Sequence, residues 1–255
     1  MNVLLAQDYA SSLLLHVVRA GAFFAVVPLF GRQSDSLMLR IVLAVSLGGV
    51  FWWVGDQQVH VPGNVLALGV MALREAVVGI ALGFALSTMM GLLTSAGEIV
   101  SSEMGFSMAR TMNPESGIDA AVMSQLLQVL GFLLILGLDL HHDALRVLEQ
   151  TYRACPVGQP FDIAPIWEGL RALVGGSVEL AFRYAFPILG IMLLLSAGMV
   201  LLGRAVPAIN LMEFGFAVRV LIALGAMAYF LSEGAPFLVN TFRAITDGAS
   251  AMFPV

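Results

Sequence analysis

The chain contains no lysine, and all 12 of its cationic residues are arginine. Only 11% of its 255 residues are charged, against about 25% in a soluble domain. A chain this poor in charge cannot cover a folded surface with polar groups, so water is not its main solvent. The 12 arginines form no basic stripe, which removes the electrostatic basis for nucleic-acid binding. One cysteine, Cys155, excludes a disulfide framework and a four-cysteine metal site. The first residues, Met1 to Asp8, lack the positive start and small-residue cleavage site of a signal peptide, so the first apolar run is expected to stay in the mature chain. No linker, charge block, internal repeat or low-complexity tract divides the sequence, which predicts one domain over residues 1–255.

What is present is apolar: 59% hydrophobic residues and a mean hydropathy of +0.92. About six apolar segments alternate with short polar turns, at about Leu13–Phe30, Leu37–Val54, Val65–Val100, Ala120–Leu140, Ile166–Leu202 and Met212–Leu231. Several exceed the roughly 20 residues that span a bilayer core. The pattern predicts an all-α membrane protein of long, kinked helical hairpins. The third segment has no proline and no polar cluster. As one helix it is ~54 Å long, against a hydrocarbon core of ~30 Å. Either it extends beyond the bilayer or it breaks near Ser87 to Gly97. The fifth segment is also overlong and is expected to kink at Pro187. Asp143 to Tyr152 reads as a short amphipathic helix. From Pro236 to Phe253, Leu238, Phe242, Ile245, Ala249 and Met252 recur in 4-3-4-3 steps, one apolar face of a separate C-terminal helix.

Arginine placement gives no orientation. Arg32, Arg40, Arg110 and Arg204 lie in loops on one side, and Arg146, Arg153 and Arg243 on the other, nearly evenly. Either the signal is weak in a short-looped chain, or the protein is not an ordinary bundle of spans.

Glu75, Gly79, Gly83, Ser87, Gly91 and Ser95 recur every four residues, a ridge along a helix. Small residues on such a ridge let a second backbone approach closely. Packing within the chain and a seam between subunits both remain open. Arg19, Arg74, Glu75, Glu179 and Arg183 interrupt apolar segments, so each must face protein or water. Glu179 and Arg183 are four apart with the acid first, which predicts a structural ion pair in preference to a proton or ion relay. Met104, Met108 and Met112 also step by four, and thioether side chains adapt to irregular or changing surfaces. Gly105, Asn113, Pro114 and Gly117 make that stretch a loop.

No catalytic constellation emerges. Glu98 and Glu103 lie ~140° apart on a helix and do not share a face. Cys155 carries no signature of an activated nucleophile, and no glycine-rich phosphate loop is present. His141, His142 and Asp143 are adjacent and so diverge on a helix, and no metal site is expected from them.

Two stretches together resemble the FliR family, the flagellar members of the export-gate proteins, whose injectisome counterpart is SctT. The first is Gly97-Glu98-Ile99, then Met104-Gly105-Phe106-Ser107 and Asn113-Pro114; the second is Leu201 to Asn210, including Arg204 and Pro207, then Gly215-Phe216. The order and number of apolar segments match along nearly the whole chain. Ala208, Ala217 and Asn113 stand where a glutamine, a proline and an aspartate are expected. Gly215-Phe216 leans toward the flagellar branch. The resemblance implies a non-catalytic channel subunit without cofactors. It implies assembly with several copies of FliP and FliQ into a right-handed helical gate, with FlhB and FlhA as further partners. Unfolded export substrates pass through the centre of such a gate. It implies the bacterial inner membrane at the flagellar basal body, with part of the gate raised toward the periplasm. It further implies a plug loop of Met104, Gly105, Phe106, Met108, Arg110, Met112, Asn113 and Pro114.

Overall fold

The computed structural model describes residues 2–27, 37–55, 64–103, 122–206 and 211–253. Among these residues every element is helical: α1 (Asn2–Val26), α2 (Leu37–Val54), α3 (Val65–Glu103), α4 (Val122–Gly137), α5 (Leu140–Ala154), α6 (Ala164–Ala205) and α7 (Leu211–Ala251). The all-α membrane-type architecture follows the apolar segments. Asp8–Val26, α2, α3 and α6 are each long and apolar enough to cross a membrane.

The third segment does not break. α3 runs for 39 residues, ~58 Å at 1.5 Å per residue, because nothing between Val65 and Glu103 removes a backbone donor. α6 runs unbroken for 42 residues with Pro187 inside it. The separate C-terminal helix is corrected: α7 is continuous for 41 residues through Pro236. A proline deletes one intrahelical hydrogen bond, a local loss that a long apolar helix can absorb. The apolar face expected there is present, with Leu238, Phe242, Ile245, Ala249 and Met252 all buried.

The described chain forms two compact units. One comprises residues 1–89, 138–175 and 242–255; the other comprises 90–137 and 176–241. α3, α6 and α7 each contribute to both.

In the first unit α1 and α2 form an antiparallel hairpin. Gly48 lies against Val17, Gly21 against Ala44, and Arg40 Nη1 donates to the Ala25 carbonyl at 3.2 Å. These pairs step by four on both helices, so ridge meets ridge. A Cβ on Gly48 would stand 2.8 Å from the Val17 Cα, which requires glycine there. Only Ala44 and Gly48 of α2 are fully buried; Phe51 rests on the Tyr152 ring at 4.8 Å, while Leu37, Met38, Ile41, Val42, Val45 and Trp53 face outward. The start of α3 packs on α1 through Gly79 and Gly83. α5 lays Leu140, Ala144, Val147, Leu148, Thr151 and Tyr152 on its buried face. Its outer face carries the pairs Asp143–Arg146 and Glu149–Arg153, with Asp143 in the first turn and Arg153 in the last, as the helix dipole favours. The start of α6 meets the end of α7 at Gly169 with Met252 and Gly248 with Leu173.

In the second unit the end of α3 packs on α4. Ser124 Oγ donates to the Thr94 carbonyl at 3.1 Å, and Gln128 Nε2 donates to Thr94 Oγ1. α6 and α7 run antiparallel there, tied by Arg219 Nη2 to Ser196 Oγ at 3.2 Å and by the Tyr184 and Phe237 rings at 6.0 Å. Leu193, Leu194 and Leu201 remain 66–72% exposed. So much open leucine on one helix marks a surface that meets lipid or another protein rather than water.

Candidate functional site: a buried arginine hub and an open helix face

Arg19 sits in the middle of apolar α1, and its side chain is 1% exposed. A lone guanidinium there would be very costly, so its partners decide whether the helix can pack at all. The first unit supplies them from three directions. Nε donates to Glu75 Oε2 at 2.7 Å, and Nη2 lies 2.5 Å from the same oxygen. Nη1 donates to the Thr151 carbonyl and Nη2 to the Cys155 carbonyl, each at 2.8 Å. Both carbonyls lie at the end of α5: that of Thr151 also accepts the Cys155 N–H at 2.9 Å, while that of Cys155 lies just past the last helical residue. The Tyr152 ring lies under the guanidinium, 4.6 Å from Arg19 Cζ, a cation–π contact strengthened by exclusion from water.

The same cluster extends outward. The Tyr152 hydroxyl donates to the His16 carbonyl at 2.9 Å, and the two rings stack at 5.4 Å. His16 Nδ1 lies 2.8 Å from the Ser12 carbonyl. Glu75 Oε1, the second carboxylate oxygen, accepts from the Gly158 N–H at 2.8 Å. Gly158 has φ 79° in the turn closed by Gln159 N–H to the Pro156 carbonyl, a left-handed position that suits glycine. One ion pair therefore joins α1, α3, the end of α5 and the proline-rich loop after it.

Sequence reasoning placed Glu75 on the small-residue ridge and left Arg19 without a partner. The structure pairs them across 56 residues. The available signal was that each charge interrupts an apolar segment and neither can stay alone.

The ridge itself divides. Gly79 and Gly83 are pressed onto α1: a Cβ at Gly79 would collide with the Arg19 carbonyl and stand 2.8 Å from Ala22 Cβ, and one at Gly83 would stand 2.9 Å from the Phe23 carbonyl. Ser87 is half-buried, while Gly91 and Ser95 are exposed. A Cβ at Gly91 would meet nothing within 4 Å. The cause is geometric. Four residues advance 400°, so the row turns by ~40° at each step. Glu75 and Ser95 consequently face nearly opposite ways.

Glu179 Oε1 and Arg183 Nη2 are 2.6 Å apart, with both side chains about two-thirds exposed. Arg74, Glu98 and Glu103 are exposed. At the second family-like stretch, Arg204 is exposed near the end of α6, Gly215 is buried against Met199, and Phe216 is half exposed. Pro207 and Asn210 lie outside the described residues, as do Met104, Gly105, Phe106, Met108, Arg110, Met112, Asn113 and Pro114.

An open cleft of about 280 Å³ adjoins the proline loop, bounded by Cys155, Pro156, Phe161, Asp162 and Phe253. Asp162 Oδ1 is engaged with the Ala164 N–H at the start of α6. Burial pushes the Cys155 thiol up from its ordinary value, which keeps it protonated and unreactive at neutral pH. The cleft thus brings together no nucleophile and base.

Comparison with known proteins adds the following. The model of a family described as bacterial export proteins, family 1, matches residues 10–245. The flagellar biosynthetic protein FliR of Caulobacter vibrioides is 25% identical over 242 residues, 94% of this chain and 96% of that protein. FliR of Bacillus subtilis is 25% identical over 224 residues, covering 85% and 84%. The surface presentation of antigens protein SpaR of Salmonella typhimurium is 25% identical over 249 residues, covering 93% and 92%.

Proposed function

Since the chain belongs to the bacterial export proteins, family 1, we propose that it is a structural channel subunit of the flagellar type III protein export gate. It would be needed for export of unfolded flagellar proteins and hence for flagellum assembly, without catalysing a reaction itself. The observation that carries this is similarity to flagellar FliR proteins along nearly the whole chain. Overlong apolar helices with outward faces support it: surfaces such as Leu193, Leu194 and Leu201 need lipid or partner subunits.

The whole of residues 1–255 acts as one export-gate domain in this reading. Neither compact unit is contiguous in sequence, and three helices contribute to both, so neither unit can be cut out without breaking a helix. The partners are FliP and FliQ in several copies, with FlhB and FlhA, in the inner membrane at the flagellar basal body. Part of the gate is raised toward the periplasm, which accounts for helices longer than a bilayer is thick. The half of the α3 ridge not used within the chain, Ser87, Gly91 and Ser95, is the seam to a neighbouring subunit. Glu179–Arg183 is a structural pair on the outer face of α6.

Co-expression with FliP and FliQ, purification and mass determination test this. A single complex containing all three is expected; recovery of this chain only as a free monomer overturns the reading. The similarity to SpaR keeps an injectisome export gate as the second reading, and complex formation with injectisome partners in preference to FliP and FliQ would establish it. An ion relay through Arg74, Glu75, Glu179 and Arg183 finds no support, because Glu75 is fully engaged by Arg19 and Gly158.

We assign the plug of the closed channel to the stretch from Met104 to Pro114, with Phe106, Met108 and Met112 as the residues that would seal it and Arg110 as a further member. Deleting Phe106 to Met112 is expected to make the gate leak small ions, read as a rise in membrane conductance. Unchanged conductance would sink the plug assignment.

A further inference from the structure

α5 begins at an unusual point. Asp139, which precedes it, has φ 56° and ψ 20°, the left-handed region, where aspartate is among the few tolerated side chains. An aspartate before a helix ordinarily turns its carboxylate onto the N–H groups of the first turn. Asp139 makes no such bond. Its Oδ1 lies instead 3.8 Å from His142 Nδ1.

His141 joins them. Adjacent residues on a helix diverge by ~100°, the reason the sequence alone gave no metal site here. The structure differs: the His141 and His142 ring centroids are 4.2 Å apart. Both lie in the first turn of α5, where no preceding turn blocks side-chain rotamers. Asp139, His141 and His142 can each bring one ligand atom, and these atoms lie within 4.8 Å of one another. His141 adds an independent observation. Its Nδ1 is shielded from solvent and has no hydrogen-bond partner among the described residues. A shielded ring nitrogen without a partner costs free energy unless something else engages the ring.

We propose that Asp139, His141 and His142 bind a divalent zinc-class ion. Two imidazoles and one carboxylate suit zinc, nickel or copper, whereas magnesium and calcium favour all-oxygen sets. Bonds of about 2.0–2.2 Å to three ligands require only small side-chain rotations to close the cluster. Three protein ligands leave a fourth position for water, on the side where Asp139 and His142 are exposed in the isolated chain. Its effect is to pin the left-handed turn at the start of α5, whose far end carries Thr151 and Tyr152 of the arginine hub. A ligand held by the folded state alone raises stability.

The test uses the full-length protein, purified in detergent, with any affinity tag removed and metals stripped by a chelator. Zinc chloride is titrated against a competing chromogenic chelator, and thermal unfolding is followed with and without zinc. One ion per chain and a zinc-dependent rise in Tm are expected. His142→Ala and Asp139→Asn should each weaken binding at least ~10-fold, since even outer-shell changes at such sites cost 10–100-fold. Asp139→Asn keeps a residue that tolerates the left-handed turn, so a loss there is not a folding failure. Absence of saturable binding, or binding that survives in both variants, overturns the proposal.

Discussion

Replacing Arg19 with methionine is expected to destabilise the protein by roughly 3–5 kcal/mol, the usual loss when one partner of a buried ion pair is removed. The change leaves the Glu75 carboxylate, 2% exposed, with Gly158 N–H as its remaining protein donor. It also strips the Thr151 and Cys155 carbonyls of a donor. Thermal unfolding in detergent and abundance in the membrane both read the effect. Glu75→Gln is the milder variant, because an amide oxygen can still accept from Gly158 or Arg19 though not fully from both. A double variant, Arg19→Met with Glu75→Leu, should recover part of the loss. No buried charge is then left alone, but the Cys155 carbonyl and the Gly158 N–H still lack their partners, and the Thr151 carbonyl keeps only the Cys155 N–H. Glu179→Gln provides the contrast. Its pair with Arg183 is about two-thirds exposed, and exposed pairs contribute ~0.2–1 kcal/mol. An Arg19→Met protein as stable as the original, or a Glu179→Gln protein equally damaged, would remove the hub from its central role.

The parts of the fold that were legible in the sequence are those encoded locally. Long runs without a helix breaker became long helices, and the 4-3-4-3 steps from Leu238 to Met252 became a buried face. A single proline misled: Pro236 reads as a boundary, yet α7 passes through it. Proline forbids one hydrogen bond, while the apolar turns on both sides continue to favour helix. The hub was illegible for a different reason. Arg19 and Glu75 are 56 residues apart, and no periodicity connects two charges on different helices. Spacing also grouped Glu75 with the whole ridge, whereas only Gly79 and Gly83 share its contact with α1, because a row at every fourth residue winds around its helix instead of following one face. The two histidines failed in the same manner. Sequence distance fixes where side chains start, and rotamers at a helix terminus decide where they end.

That winding makes Gly79 and Gly91, three steps apart on one row, opposite experiments. Gly79→Leu is expected to break the fold. Its Cβ would run into the backbone of α1 at Arg19 and Phe23, backbone that cannot rotate aside. Overpacking of this kind costs ~1–3 kcal/mol or more, and here it also pushes against the segment that carries Arg19. Gly91→Leu should leave the isolated chain as stable as before, or better. The site is open within 4 Å, and leucine in a helix interior is favoured over glycine by nearly ~1 kcal/mol. Phe84, Gly91, Ser95, Glu98 and Ser102 form an exposed stripe beside it. If Ser87, Gly91 and Ser95 are the seam to another subunit, a leucine at the centre prevents close approach of the second backbone. The expected result is a stable chain that no longer co-purifies with FliP and FliQ and does not support motility. Gly91→Ala, smaller by three carbons, should retain part of the assembly. A Gly91→Leu protein that assembles fully would show that this half of the ridge faces lipid, and the seam would have to lie elsewhere on the exposed apolar surface of α2 or α6.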